Sequence, residues 1–355
     1  PQQILAHGFA GSMKHAAAAA AYDCHPRPLA IVTSGREALR AWQEDLAALL
    51  PEADIYELPE LDRIGFAAPG AAKGMERSAQ RMNILARLLR QEPIIVLADI
   101  AAAAQKGLST AEFSRAALSL RLGEKLPRET LLERLSTLGY EHVSEAEYAG
   151  QFSVRGGIVD IFPINALSPI RVEFFDMEID SMREYDPLTK RSIKNIGTAS
   201  IMPLCAADDE GGACFLTYLG RAGITLFDEP SRLIAALSDA VQEDEVRGAR
   251  LFRWEDMVAA GAEGHEVFAS LMSRSFPACA PAMLIGFHVV PMTAFQRQFA
   301  MLESELRRYL ADEVQVLVLA GGVERANLVR DMLMGWKIPA VVLRKEGETA
   351  KDAVL

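Results

Sequence analysis

The sequence predicts an α/β protein: a parallel sheet covered by helices, formed by two segments of the chain, with a small α+β domain inserted between them. Three observations lead there. Short apolar runs alternate with helical patterns over residues 1–100, the pattern of a helix-covered parallel sheet. The middle of the chain turns rich in β-branched and aromatic residues, with Gly and Pro between the runs, as antiparallel strands do. From Gly211 onward the strand and helix alternation returns.

Taking the elements in order, Ile4 to Ala6 is a short strand leading into His7 to Ala21, HGFAGSMKHAAAAAA, a loop that runs into a helix. The loop has the outline of a phosphate cradle. In such a cradle glycines let backbone amides close around phosphates, a lysine reaches the outer phosphates and a hydroxyl holds magnesium. Counted from Gly8, Lys14 falls at the lysine position, but Met13 stands where the second glycine belongs and His15 where the hydroxyl belongs. Met13 puts bulk where the backbone must approach closely. Leu29 to Thr33 reads as a buried strand. Ser34 and Glu37 have capping-box spacing for a helix in which Leu39, Trp42, Leu46 and Leu49 recur at helical intervals. Met75 to Arg90 is a second amphipathic helix, with Arg77, Arg81, Arg87 and Arg90 expected on a solvated face, and Ile94 to Ala98 is the next strand.

In the middle, Arg128 to Leu138 is a helix, and QFSVRGGIVDIFP and IRVEFFDMEIDSMREYD are strands. Side chains alternate faces along a strand. Ile170, Val172 and Phe174 therefore share a core face, and Arg171, Glu173 and Phe175 share the other. Phe152 and Val154 likewise oppose Ser153 and Arg155. With both strands in one sheet, Arg155, Arg171 and Phe175 form one exposed patch, the composition of a protein-binding hot spot. The competing arrangement packs Phe175 under a helix and pairs the arginines with Glu173, Asp176 or Glu178.

Farther on, GITLFDEP is a strand ending in Asp228 and Glu229, where a phosphate-loop ATPase places the carboxylates that hold magnesium and activate water. Residues 231–245 are helical. Val314 to Leu319, a helix from Val323 to Met334 and Ala340 to Leu343 make a strand-helix-strand unit. It stops at Leu355 without room for a whole sheet, so the sequence reads as a piece of a longer chain. The expected domains are 1–111, 112–205, 206–294 and 295–355, the first and third together making the main sheet.

Composition narrows the function. Lys and Arg total 37 against 48 for Asp and Glu, a net charge of −11, so the chain as a whole repels polyanions and strong autonomous nucleic-acid binding is not expected. Cys24, Cys205, Cys214 and Cys279 form no C-x-x-C pair and fit reduced thiols of a cytoplasmic protein. The six histidines are scattered, so no metal site is expected, and no G-x-S-x-G nucleophile elbow occurs. No apolar run reaches the ~18 residues that suggest a membrane span, and no signal-peptide pattern opens the chain; the expectation is a soluble protein without a membrane partner.

The run R-G-G-I-V-D-I-F-P from Arg155, followed from Arg171 by R-V-E-F-F-D-x-E-I-D-S-x-R-x-x-D-x-x-T-x-R-S, closely resembles the second domain shared by the excision-repair helicase subunit UvrB and the bacterial transcription-repair coupling factors (Mfd). Its R-S ending is more like the coupling factors. Weaker resemblance covers nearly all of residues 1–290. It implies domains 1a, 2 and 1b of a UvrB-like N-terminal module, with the start of a third domain after about residue 295. The main domain would then be a degenerate helicase-like, P-loop NTPase-like fold.

The resemblance implies that the middle domain binds UvrA, the damage-recognition ATPase, through the matching positions Arg155, Arg171 and Phe175. It also implies that the module is a non-catalytic adaptor with no cofactor of its own. Gly8, Met13, Lys14, His15, Asp228 and Glu229 would be the relic of a nucleotide site. ATP, magnesium, DNA and RNA polymerase would belong to motor and polymerase-binding domains outside these residues, and other domains of the same protein would be intramolecular partners. Two rival readings are a UvrB-like helicase subunit with cryptic ATPase activity and an autoinhibitory clamp in which another domain covers the middle-domain face. The connection from Tyr56 to Met75 is too short for the tyrosine-rich DNA-wedging hairpin of UvrB. Around Glu210 and Gly211, several dozen residues usual in the family are missing.

Overall fold

The computed structural model describes residues 2–61, 71–166, 168–203, 212–289, 298–318 and 322–342. They fall into two compact units, Pro1–Val290 and Pro291–Leu355. Residues 62–70, within the connection expected to be too short for a wedging hairpin, lie outside the described residues, as do residues 204–211, where the missing family segment was expected.

The first unit opens with β1 (Gln3–His7), α1 (Met13–Cys24), β2 (Leu29–Thr33), α2 (Arg36–Leu49), β3 (Ile55–Glu57), α3 (Ala71–Leu89), β4 (Ile95–Asp99), α4 (Ile100–Ala104) and α5 (Thr110–Ala116). All five residues of β2 and the first four of β4 are buried, as a parallel sheet covered on both faces requires. Helix α2 buries Leu39, Trp42 and Leu46, whereas Leu49 is exposed. The capping box expected of Ser34 and Glu37 does not form, because Gly35 takes the N-cap position and supplies no side chain. A full capping box instead starts α5, between Ser109 and Glu112.

The arginines of α3 correct a second expectation. Arg81 is buried and donates to the carbonyls of Pro59 (2.8 Å) and Ala102 (3.2 Å). Arg87 binds Asp54 (2.6 Å), Glu92 (2.5 Å) and the Tyr56 hydroxyl, and Arg90 binds Glu92 (2.7 Å). These charges hold the helix to neighbouring segments instead of making a free basic face.

The inserted region comprises β5 (Leu118–Arg121), α6 (Arg128–Thr137), β6 (Glu141–His142), β7 (Gln151–Arg155), β8 (Ile158–Ile161), β9 (Ile170–Phe175), β10 (Glu178–Tyr185), β11 (Ser192–Asn195) and β12 (Thr198–Ile201). Strands β5 and β12 pair antiparallel, with Leu118 opposite Ile201, so the chain enters and leaves the insertion side by side. Between them lies a six-stranded sheet of order β11-β10-β9-β8-β7-β6, antiparallel except for the β6–β7 pair. Phe152, Val159, Ile161, Ile170, Val172, Ile179 and Met182 are buried from it, in the same apolar core as Leu131 and Leu135 of α6.

The chain then returns through β13 (Ile224–Asp228), α7 (Pro230–Glu243), α8 (Glu245–Gly248), α9 (Trp254–Gly261), β14 (His265–Ser270) and β15 (Met283–Gly286). The main sheet has seven parallel strands in the order β15-β1-β14-β13-β2-β4-β3. Strands from the two chain segments interleave, β1 lying between β14 and β15, which is the parallel α/β domain built from two segments that the sequence predicts.

The second unit contains α10 (Phe299–Ala311) and α11 (Val323–Gly335), with Leu306, Leu333 and Ile338 buried between apolar neighbours. The strands expected at Val314 to Leu319 and Ala340 to Leu343 are not formed over residues 314–318 and 340–342, apart from a single bridge position at Ala340.

Candidate functional site

Two places carry the residues singled out from the sequence. The first is the outward face of the inserted sheet. Its register pairs Ser153 with Asp160 and Asp160 with Arg171, and pairs Arg155 with Ile158 and Ile158 with Glu173. Directly opposed residues in a ladder share a face, so Arg155 and Arg171 lie on the same side, and alternation along β9 adds Phe175. The ring of Phe175 is 76% exposed, beside the exposed Met177 of the following turn. Phe174, its neighbour, packs against the core.

The R-G-G motif explains the geometry of this corner. Gly156 and Gly157 form the turn between β7 and β8, and Gly156 takes φ +60°, a left-handed conformation that costs other residues. At Gly157 a side chain would meet the Phe174 carbonyl at 3.1 Å. The Gly157 carbonyl accepts from the Phe174 amide at 2.8 Å, and the Gly156 carbonyl accepts from Arg128 of α6 at 2.5 Å. The turn is therefore tied to α6 on one side and to β9 on the other, which sets Arg155 relative to Phe175.

The two arginines are not equivalent. The Arg155 side chain is 60% exposed, and its guanidinium lies 3.8 Å from Glu145. Arg171 is only 20% exposed and grips Asp160 with two parallel hydrogen bonds, Nε to Oδ1 at 2.7 Å and Nη2 to Oδ2 at 2.8 Å, while its guanidinium lies 4.8 Å from the centre of the Tyr185 ring. The Asp160 hydrogen bonds hold the Arg171 pKa above its ordinary value. Burial raises that of Tyr185 to about 12, so the ring stays neutral under its cation. Neither of the expected alternatives holds: Phe175 is uncovered, and Glu173 is taken by Arg183 (2.5 Å) and Ser181 (2.7 Å) rather than by Arg155 or Arg171. Asp160 was missed as the partner of Arg171, although it stands inside the R-G-G-I-V-D run; only the β8–β9 register brings the two together.

The second place is the loop between β1 and α1. Lys14 Nζ lies 2.6 Å from Asp228 Oδ1, and Trp42 Nε1 donates to Asp228 Oδ2 at 2.8 Å. Both carboxylate oxygens thus have partners inside the protein. His15 points inward, 2.5 Å from Asp45 and 4.1 Å from the centre of the Trp42 ring, and its hydrogen bond lowers the Asp45 pKa. Met13 is partly exposed. Gly8 has φ +89°, and a side chain there would meet the Phe287 carbonyl at 1.9 Å; Phe9 stacks on the Phe287 ring at 4.4 Å. Glu229 adopts φ +54°, and its carboxylate accepts from the Leu271 amide at 2.8 Å. The sequence did not mark Trp42 as a partner of Asp228, because Trp42 read simply as core and Asp228 as a strand-end carboxylate of the relic site.

Among the described residues no group of three or more His, Cys, Asp or Glu side chains is placed to hold a metal, and no helix is long and apolar enough to cross a membrane.

Residues 118–205 match the UvrB interaction domain family. Over 206 residues, 57% of this chain, the sequence is 30% identical to the transcription-repair-coupling factor of Bacillus subtilis. It is 27% identical over 201 residues to that of Staphylococcus haemolyticus and 28% identical over 197 residues to one from Staphylococcus aureus. In each case the match covers 17% of the relative's length. Residues 118–205 thus match the UvrB interaction domain, within a chain that is similar over more than half its length to transcription-repair-coupling factors.

Proposed function

We propose that this chain is the N-terminal adaptor module of a transcription-repair coupling factor and recruits UvrA to stalled RNA polymerase in transcription-coupled nucleotide excision repair. The observation that carries the proposal is the face of the UvrB interaction domain that carries Arg155, Arg171 and the 76% exposed Phe175. An apolar ring left in water is useful when a partner buries it, and guanidiniums beside it give charge-assisted hydrogen bonds to acidic groups of that partner. The full-length protein would be an ATP-dependent DNA translocase, with DNA and RNA polymerase engaged through domains beyond these residues.

The module itself acts without nucleotide. Supporting this, Lys14 and Asp228, which would serve phosphate and magnesium, serve each other, and Glu229 is spent on a backbone amide. The test is binding of purified UvrA to the chain by calorimetry. Arg155→Ala with Phe175→Ala should abolish binding while leaving the fold intact by circular dichroism. Unchanged affinity of that double variant would overturn the assignment.

A further inference from the structure

Beside Arg155 and Arg171 of the proposed docking face the structure holds a third cation and a carboxylate that no motif singled out. Strand β10 ends at Tyr185, and the chain turns through Asp186 to Lys190 before β11. Asp186 builds this turn: its carboxylate accepts from the amides of Leu188 (2.9 Å) and Thr189 (2.7 Å), and its carbonyl accepts from the Lys190 amide at 2.8 Å. Lys190 sits at φ +58°, a conformation a lysine takes only where its surroundings fix it. The turn sends its ammonium back over the sheet, 6.0 Å from the centre of the same Tyr185 ring that carries Arg171. There it binds Glu145 Oε1 at 2.8 Å, and Arg155 approaches the same oxygen at 3.8 Å.

One carboxylate oxygen thus receives two cations, and Glu145 is 41% exposed, in the strand-free stretch before β7. The Lys190 hydrogen bond keeps its acidity high, with a pKa below the ordinary glutamate value. The arrangement has the form of a bound acidic ligand supplied by the chain itself. Exposed pairs of this kind are weak, so a better-placed carboxylate displaces them at small cost. At 91%, Leu188 at the tip of the turn is exposed even more than Phe175.

Resting on the docking reading above, we propose that Lys190 is a fourth contact residue for an acidic surface of UvrA, and that Glu145 occupies, in the free chain, the place of the partner's carboxylate. Charge complementarity argues for this occupant: in the cluster around Tyr185, Arg155, Arg171 and Lys190 outnumber Glu145 and Asp160, in a chain whose net charge is −11. Glu145 is then a specificity-determining residue, holding Arg155 and Lys190 pointed at one spot while lowering the affinity for any ligand that must replace it.

The experiment measures UvrA affinity and its salt dependence by calorimetry for Lys190→Glu, Lys190→Arg, Glu145→Gln, Arg155→Ala and Phe175→Ala. Melting curves serve as the folding control. Lys190→Glu should weaken binding at least tenfold and flatten the salt dependence, Lys190→Arg should stay within about twofold of wild type, and Glu145→Gln should tighten binding several-fold. A structural role for the turn alone would shift melting and leave the salt dependence unmoved. If Arg155→Ala and Phe175→Ala lose binding while Lys190→Glu and Glu145→Gln bind like wild type, this inference is overturned and the docking face stands. Wild-type binding by Arg155→Ala and Phe175→Ala would overturn the docking face and this inference with it.

Discussion

Arg171 and Asp160 are directly opposed across β9 and β8 and joined by two parallel hydrogen bonds of 2.7 and 2.8 Å, with Asp160 buried. Removing the guanidinium strands a buried carboxylate, and such truncations are costly even where the pair itself adds little. We expect Arg171→Ala to lower stability by about 2 kcal/mol, read as a fall in the urea midpoint. Arg155→Ala, whose side chain is mostly in water, should stay within about 0.5 kcal/mol of wild type. Reduced UvrA binding by Arg171→Ala alone would therefore mix loss of contact with loss of sheet order. Equal stability of the two variants would show that the Asp160 pair does not hold the sheet.

Lys14 and Asp228 give a second, separable outcome. The buried Asp228 and the partly exposed Lys14 depend on each other, and Trp42 Nε1 depends on Asp228. Asp228→Ala should destabilise the main domain by about 2 to 3 kcal/mol, with Asp228→Asn milder because the tryptophan keeps an acceptor. ATP with magnesium at millimolar concentration should give no heat of binding to the wild-type chain and no rise in its melting temperature. Micromolar nucleotide affinity would overturn the adaptor reading in favour of a cryptic ATPase.

The parallel α/β class of the main domain and the face alternation of β9 were legible in the sequence because both depend on local periodicity. Four apolar residues ahead of Thr33 in β2, and Ile170, Val172 and Phe174 at alternate positions of IRVEFF, carry those readings. What was not legible depends on long-range register. Asp160 reaches Arg171, Lys190 reaches Glu145 and Trp42 reaches Asp228 only once distant segments are paired, and no spacing along the chain announces those contacts. The arginines of α3 show the same limit: the helical pattern puts Arg81 on a solvated face, and nothing in it announces the two carbonyls that let it be buried. Ser34 had the right spacing for a cap and lost the position to Gly35, a difference of one residue that periodicity does not resolve.

Two glycines that look alike in the motifs should behave differently. Both have positive φ, but a side chain at Gly8 would stand 1.9 Å from the Phe287 carbonyl, while none of the surrounding atoms comes within 4 Å at Gly156. Gly156→Ala should cost about 1 kcal/mol, from the left-handed backbone alone. Gly8→Ala adds a clash with backbone that cannot rotate away and should cost about 3 kcal/mol or more. Thermal melts of the two variants side by side check this. A mild Gly8→Ala would mean that the approach of β15 to the first loop is not tight.

Glu266 on β14 provides a pH signature. It is buried, its Oε2 accepts from Gln3 at 2.8 Å and its Oε1 has no hydrogen-bond partner among the described residues. Burial raises its pKa, against the lowering effect of the Gln3 hydrogen bond. A carboxyl whose pKa is higher folded than unfolded favours the fold fully below the unfolded value; that contribution is lost as pH climbs through the folded value. Stability should therefore decline from about pH 4.5 upward through the raised value, as the fold comes to hold a charged carboxylate away from water. Glu266→Gln removes that charge and keeps an acceptor for Gln3. We expect it to raise stability at pH 7.5 by about 1 kcal/mol and to flatten the slope of stability against pH on the alkaline side. Denaturant titrations of both proteins between pH 5 and pH 8 test the sign, and a variant less stable than wild type at pH 7.5 would show that the charged carboxylate is satisfied in the fold.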